Sequence, residues 1–419
     1  MSRAGTQSIT AIRWLTFLMF MMFAMTTDSV GVIIPQIVRE FALSMKAAGA
    51  FHYATMAAIA LSAILLGFLA DRIGRKPTIV IGLSLFAVNS YLFVLGNSFG
   101  YFLLLLVVSG TAIGIFKSGA LALIGDISTS TTQHTATMNL IEGFFGLGAI
   151  IGPAIVTALI HAGVSWKWLY SIAGTICLVL LLIALLVRYP STIRSIEEPV
   201  NLTRTLRMMR NPFALAFGAA ACLYVAVEAA VYVWAPTYLA GYHGSFFALA
   251  SYAVSVFFVL RAAGRFLGAW LLSRFDWSRA LALLSLAILL CLAGSASGSL
   301  RLAVVLLPLS GLFMSVVYPT LNSKGISCFP KAEHGAVAGV ILFFTCLGAV
   351  LGPLAMAALI DATGQPRNAF VLSAGFAALL FVGLAWNWLR QPARAVLSQW
   401  DAREYGAGAR QATCPATGR

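Results

Sequence analysis

Asp28, Lys117, Glu142, Glu228 and Arg261 stand alone as charged residues inside long apolar stretches. At the centre of a bilayer each costs at least ~2.5 kcal/mol, so such a residue faces a partner or a polar path and reads as functional. Lys117 precedes Asp126 by nine residues, which places it about 13 Å deep at ~1.5 Å per residue. Arg261 is comparably deep, whereas Arg265, in "AGRFLG", reads as structural. Three acids against two deep bases cannot pair one to one. One carboxylate is therefore left to bind and release a proton. Glu142 is the first choice, because the residue 200 positions later is Leu342; Asp28 and Glu228 are related by that same offset. Those two acids have a plainer alternative, as structural ion pairs with Lys117 and Arg261. Polar and aromatic groups lie close by in sequence: Tyr224, Tyr232, Trp234 and Tyr238 around Glu228, Tyr318 where the other half has Lys117, and Asn139 before Glu142. Rings of this kind stack on a solute, and an amide bonds its hydroxyls.

Residues like these need a scaffold, and composition says which. Of 419 residues, 60% are hydrophobic and only 10% charged, with a mean hydropathy of +0.93; a soluble chain carries about 25% charged residues. A bilayer is the expected partner, and the net charge of +14 is a matter of topology, not of nucleic acid. The six cysteines form no CxxC pair and sit mostly in apolar runs, so neither a disulfide framework nor a metal site is indicated. Apolar runs near 12–36, 47–70, 77–96, 100–126, 136–161, 166–189, 213–240, 246–272, 279–297, 301–322, 335–360 and 367–390 predict twelve spans. The first run follows Arg3 and Arg13 as a signal peptide would, but it continues apolar to Ile37 and is read as a retained helix. The domain reading is a first six-helix bundle over 1–189, a central loop over 190–212, a second bundle over 213–390 and a tail over 391–419. Nineteen of the 27 Lys and Arg residues fall on the side of the N-terminus, five on the other side and three within spans. That asymmetry predicts both termini in the cytoplasm and the chain in the cell's inner membrane.

The halves are related. "GAIIGPAIVTALI" at 148–160 matches "GAVLGPLAMAALI" at 348–360 in seven of thirteen positions, and His134 meets His334 at the same offset. Internal repeats of this kind mark carriers built around a midplane site. Gly148, Gly152 and Pro153, with Gly348, Gly352 and Pro353, put small residues on one helix face ahead of a helix-loosening proline. Close helix packing alone accounts for such a segment as readily as a role in setting transport direction.

"GFLADRIGRKPTIV", residues 67–80, packs Asp71, Arg72, Arg75 and Lys76 between two spans. With Gly67 and Gly74, the stretch resembles the loop signature of the major facilitator superfamily, and the span count and central loop extend the resemblance to the whole chain. The arrangement of spans 5 and 7 resembles the branch that includes fucose and glucose permeases. The resemblance implies an all-α membrane fold of two pseudo-symmetric six-helix bundles. It also implies a gate, in which Gly67 lets span 2 pack on span 11 and Asp71 faces the positive N-terminal end of span 11 near residue 335. A second copy, "GAWLLSRFDWSR" at 268–279, lacks the Asp-Arg pair in register. The glycine pair that usually follows the proline of the antiporter signature is also missing, so direction stays open.

No H-E-x-x-H or phosphate-binding loop occurs, and the chain is not expected to be an enzyme, to hold a cofactor or metal, or to bind nucleic acid. The expected function is alternating-access transport by a monomer: proton-coupled uptake of a sugar-like or small polar metabolite. The alternatives are proton-coupled efflux and a transport-dead sensor.

Overall fold

The computed structural model describes residues 3–43, 49–191 and 201–405, all helix and connecting loop, with no strand among them. Span 1 is Arg3–Thr27 continued by Val30–Glu40, and span 2 is Ala50–Leu66 with the short turn Leu69–Arg72. Spans 3 to 6 are Arg75–Leu92, Phe99–Ile127, Thr131–His161 and Trp168–Leu186. Spans 7 to 9 are Pro212–Leu239, Ala253–Arg274 and Trp277–Ser297. Span 10 is Leu300–Met314 continued by Val317–Ser327, and spans 11 and 12 are His334–Thr363 and Arg367–Arg390. Among the described residues, eleven of these are long and apolar enough to cross a membrane. The twelfth, span 3, is the short one, and it begins with Arg75 and Lys76 and carries Asn89.

The starts of the helices follow local chemistry. Ser98 and Ser130 accept a hydrogen bond from the first turns of spans 4 and 5, at Tyr101 N and Gln133 N. Asn211 caps span 7 just ahead of Pro212, and Asp276 caps span 9. Each supplies an acceptor to backbone donors that have no partner in the first turn. Gly74 opens span 3 at φ 108°, a conformation closed to side chains with a Cβ. Large apolar side chains such as Leu95, Leu104, Leu186, Leu290 and Leu389 point outward, as a lipid-facing surface requires.

Helix contacts sort into two sets. Spans 1 to 6 pack together (2 on 4, 3 on 4, 1 on 5, 3 on 6), as do spans 7 to 12 (7 on 11, 9 on 12, 8 on 10, 9 on 10). The sets meet where span 5 lies on span 8 and on the second half of span 10, and where span 11 lies on spans 2 and 4. The related glycine segments do equivalent work in the two sets. A Cβ at Gly148 would stand 2.0 Å from the Met21 carbonyl of span 1, and one at Gly348 2.2 Å from the Cys222 carbonyl of span 7. Both segments thus allow backbone-to-backbone contact, which is how membrane helices without a hydrophobic driving force gain packing.

Spans 1 and 10 are interrupted at Asp28–Ser29 and at Ser315–Val316. Both interruptions lie inside the assembly, where irregular backbone is tolerated because protein surrounds it. Five cysteines, Cys177, Cys222, Cys291, Cys328 and Cys346, carry free thiols, and Cys414 lies outside the described residues. Among the described residues no cluster of metal-ligating side chains occurs.

Gly148→Leu and Gly348→Leu should each destabilise the purified protein by about 1–3 kcal/mol or more, the cost of overpacking. Gly375→Leu, where a Cβ meets nothing within 4 Å, should leave the melting temperature in detergent unchanged. Equal melting temperatures for all three variants would show that the close approach contributes nothing.

Candidate functional site

The charges within the spans are arranged differently from the sequence count. Arg261 Nε lies 2.6 Å from Glu228 Oε1, and Tyr224 Oη lies 3.0 Å from that same oxygen and 2.9 Å from the Met314 carbonyl. Arg265, expected to be purely structural, places Nη2 3.3 Å from Glu142 Oε2, while its Nη1 donates to the Glu142 carbonyl at 2.8 Å. Its Nε donates to the Ser315 carbonyl at 3.4 Å, in the break of span 10. The expectation that Glu142 is the unpaired acid is therefore corrected. Counting Arg265 gives three deep cations for three acids, and Glu142 already has its partner across the interface of the two bundles.

What remains is Asp28 and Lys117. Asp28 sits in the break of span 1, where its Oδ2 accepts a hydrogen bond from Thr27 Oγ1 at 2.8 Å. Arg261, Lys117 and Glu228 are the charged groups that act on it, and Tyr232 feels its charge in turn. Lys117 holds its ammonium 4.8 Å from the ring centroid of Phe145 and 5.8 Å from that of Phe20. Among the described residues, neither Asp28 nor Lys117 lies within ion-pair distance of an opposite charge. The pairing of Asp28 with Lys117, open at the sequence level, is not made; Glu228 does pair with Arg261.

The expected solute-binding groups are not all in one place. Tyr318 is buried and stacks on Tyr224, centroids 6.1 Å apart. Trp234 is partly exposed, with its indole nitrogen buried and unpartnered. Asn139 is wholly buried one turn before Glu142, donating to the Thr135 carbonyl at 3.0 Å. Its Oδ1 lies against Gly268 of span 8 and has no hydrogen-bond partner.

The residues of the loop 67–76 stand at the Lys- and Arg-rich end of the bundles. Asp71 accepts hydrogen bonds from the Gly335 and Ala336 N–H groups at 2.9 and 2.8 Å, on the first turn of span 11. A carboxylate there meets two unsatisfied donors and the positive end of the helix dipole together. Arg75, buried, pairs with Asp71 and with Asp126 (2.9 Å), and donates to the Lys331 carbonyl at 2.6 Å. Lys76 donates to the Leu185 and Val187 carbonyls at the end of span 6, and Arg72 is exposed. A Cβ at Gly67 would lie 3.3 Å from Gly339 Cα and from the Gly335 carbonyl, so spans 2 and 11 are in backbone contact. This end of the molecule is closed.

Further contacts across the same end were not legible as a group in the sequence. Arg204, in the short helix Leu202–Met208 of the central loop, pairs with Glu333. Ser323 bridges Thr135 Oγ1 (2.9 Å) and His134 Nδ1 (2.8 Å). His134 and His334 lie with ring centroids 6.2 Å apart, and their common 200-residue offset was the one signal that linked them.

The profile described as Major Facilitator Superfamily matches residues 16–353 and 282–414. A TsgA homologue from Buchnera aphidicola is 23% identical over 274 residues, 65% of this chain and 69% of that protein. The quinolone resistance protein NorA of Staphylococcus aureus is 36% identical over 104 residues, only 24% of this chain and 26% of NorA. Among solved structures, FucP in the outward conformation superposes with a TM-score of 0.76 at 22% identity, covering 90% of this chain and 99% of FucP. The proton:xylose symporter XylE gives 0.71 at 11%, covering 91% of this chain and 96% of XylE. The human organic anion transporter MFSD10 gives 0.71 at 18%, covering 91% of this chain and all of MFSD10. At these identities the structural likeness establishes the fold, and with the profile spanning most of the sequence, the chain belongs to the major facilitator superfamily.

Proposed function

We propose that this protein is a secondary active carrier that moves a small organic solute together with a proton across the cytoplasmic membrane, working as a monomer. Asp28 is the proton-binding carboxylate. The observation that carries the reading is its position: it is the one acid of the three without an ion pair, and it occupies the break of span 1 between the bundles. Discontinuous helices of this kind frame coupling sites in secondary carriers.

The positive-inside asymmetry puts the closed end in the cytoplasm, so the conformation described is sealed inward. Asp71, Arg75 and the first turn of span 11 act as the seal, and alternating access requires that it break when the other end closes. Tyr224, Glu228, Trp234, Arg261 and Tyr318 flank the path as solute-facing or supporting groups, with Glu142 and Arg265 tying span 5 to span 8. FucP is described as a fucose:proton symporter and XylE as a proton:xylose symporter, which supports proton-coupled transport of a small polar solute over other uses of the fold. Proton-coupled efflux is the second reading, and the partial likeness to a quinolone resistance protein is compatible with it.

Asp28→Asn preserves shape while removing the titration. In proteoliposomes preloaded for counterflow, the variant should exchange solute at a rate near that of the wild type. Accumulation driven by an acidic exterior should fall to the level of passive equilibration. Full pH-driven accumulation in the variant would move the proton elsewhere, a pH effect of opposite sign would support efflux, and absence of any flux in the wild type would support a sensor.

A further inference from the structure

The charge arithmetic of the interior goes further than the identity of the proton carrier. Arg261 is matched by Glu228 and Arg265 by Glu142, leaving one ammonium, Lys117, and one carboxylate, Asp28. With Asp28 ionised the set is neutral; with a proton on Asp28 it carries one uncompensated positive charge. Lys117 is partly exposed, and a charge left uncompensated within the spans is costly, so the protonated form selects whatever supplies one negative charge near Lys117. We propose that the solute is an organic monoanion bearing a carboxylate, held by the Lys117 ammonium, so that one proton and one anion cross together with no net charge. This deepens the carrier reading above and rests on it.

Three observations support an anion over a neutral polyol. Lys117 is flanked by the faces of Phe20 and Phe145, which leave its N–H donors for an incoming acceptor while their quadrupoles favour the cation. The groups that act on Asp28 are Lys117, Arg261, Glu228 and Tyr232, and Lys117 is the only cation among them without a carboxylate at ion-pair distance. The amides that would read hydroxyls are enclosed by protein: Asn89 donates to the Leu105 carbonyl and Ser109 Oγ, Asn139 donates to the Thr135 carbonyl, and Asn139 and Asn322, whose Oδ1 atoms have no partner, are buried.

The test uses ligand binding without any gradient, so it does not depend on proton-driven accumulation. Melting temperatures of the purified full-length protein are measured at mildly acidic pH with galacturonate, gluconate and lactate, and with uncharged galactose. At least one acid should stabilise the wild type where galactose does not. Lys117→Gln should weaken that binding by roughly 100-fold or more, the usual result of truncating one partner of a buried pair, and Lys117→Arg should retain the preference for acids. Stabilisation by galactose alone, none by any acid, or acid binding undiminished in Lys117→Gln while the ligand-free melt is unchanged would overturn the proposal.

A separate contact carries a second inference. Span 12 turns at Gln391, φ 49°, into the helix Pro392–Trp400, which buries Ala393 and Leu397. Beyond it, Asp401 accepts from Thr131 N–H and from Thr131 Oγ1, both at 3.0 Å. Thr131 opens span 5, and residue 331, at the 200-residue offset, stands just before span 11, whose first turn takes the Asp71 carboxylate. The residue at the offset from Asp71 is Leu271, so the second half offers no acid there. The geometry points to the tail as the source of the missing acid: Asp401 is a second latch, by which the second bundle holds the start of span 5 and keeps the closed end shut.

Spin labels at Arg72→Cys and Arg279→Cys, both exposed and one on each bundle, report the gap at this end in a background freed of native cysteines. Asp401→Asn should shift the distance distribution toward the longer component, and so should Asp71→Asn. An unchanged distribution in Asp401→Asn beside a shifted one in Asp71→Asn would make the tail contact incidental.

Discussion

Charge in a low-dielectric interior has to cancel, and the rest of the architecture follows from how this chain makes it cancel. Two arginines one turn apart on span 8 reach different helices, Arg261 to Glu228 of span 7 and Arg265 to Glu142 of span 5. The first pair lies within the second bundle; the other joins the bundles. Buried pairs of this kind stabilise little compared with an apolar contact, but removing one partner is expensive. They therefore hold span 8 in register against span 7 and span 5. The two charges left over, Asp28 and Lys117, are the ones whose compensation would change in the proposed carrier as a proton and a solute come and go. Reciprocity then links the two ligands: whatever makes protonation of Asp28 favour the solute makes the solute favour protonation by the same factor.

The closed end uses the same electrostatics with a different partner. Asp71 neutralises two backbone donors and a helix dipole in addition to Arg75, so a single side chain connects span 2, span 3 and span 11. Backbone contact at Gly67 brings the helices near enough for those short bonds. Because the carboxylate binds backbone N–H groups, the contact is made or lost as a unit when span 11 moves. A two-state element of this sort suits a gate better than a graded one.

Much of this was legible in the sequence because it is local. Twelve apolar runs, the loop between spans 2 and 3, and the related glycine segments are patterns along the chain, and the structure places Asp71 where the resemblance implied. The pairing of the charges was not legible, because it depends on which helix faces which. Glu142 breaks the repeat against Leu342, a true asymmetry whose structural counterpart is Arg265, set aside as structural from its motif alone. The breaks in spans 1 and 10 leave no signature in hydropathy, since Thr-Asp-Ser and Ser-Val fit a helix as well as a kink. Asp401 stands in a polar tail that composition marks only as soluble.

Proton-linked binding is the central claim, and it is tested most directly by counting protons. The purified protein is mixed in weakly buffered solution, with a pH-sensitive dye, with whichever acid stabilises it most. Uptake of about one proton for each carboxylate bound, absent when Asp28 is replaced by Asn, is the result that reciprocal linkage requires. Carboxylate binding to the wild type with no change in bound protons would contradict it.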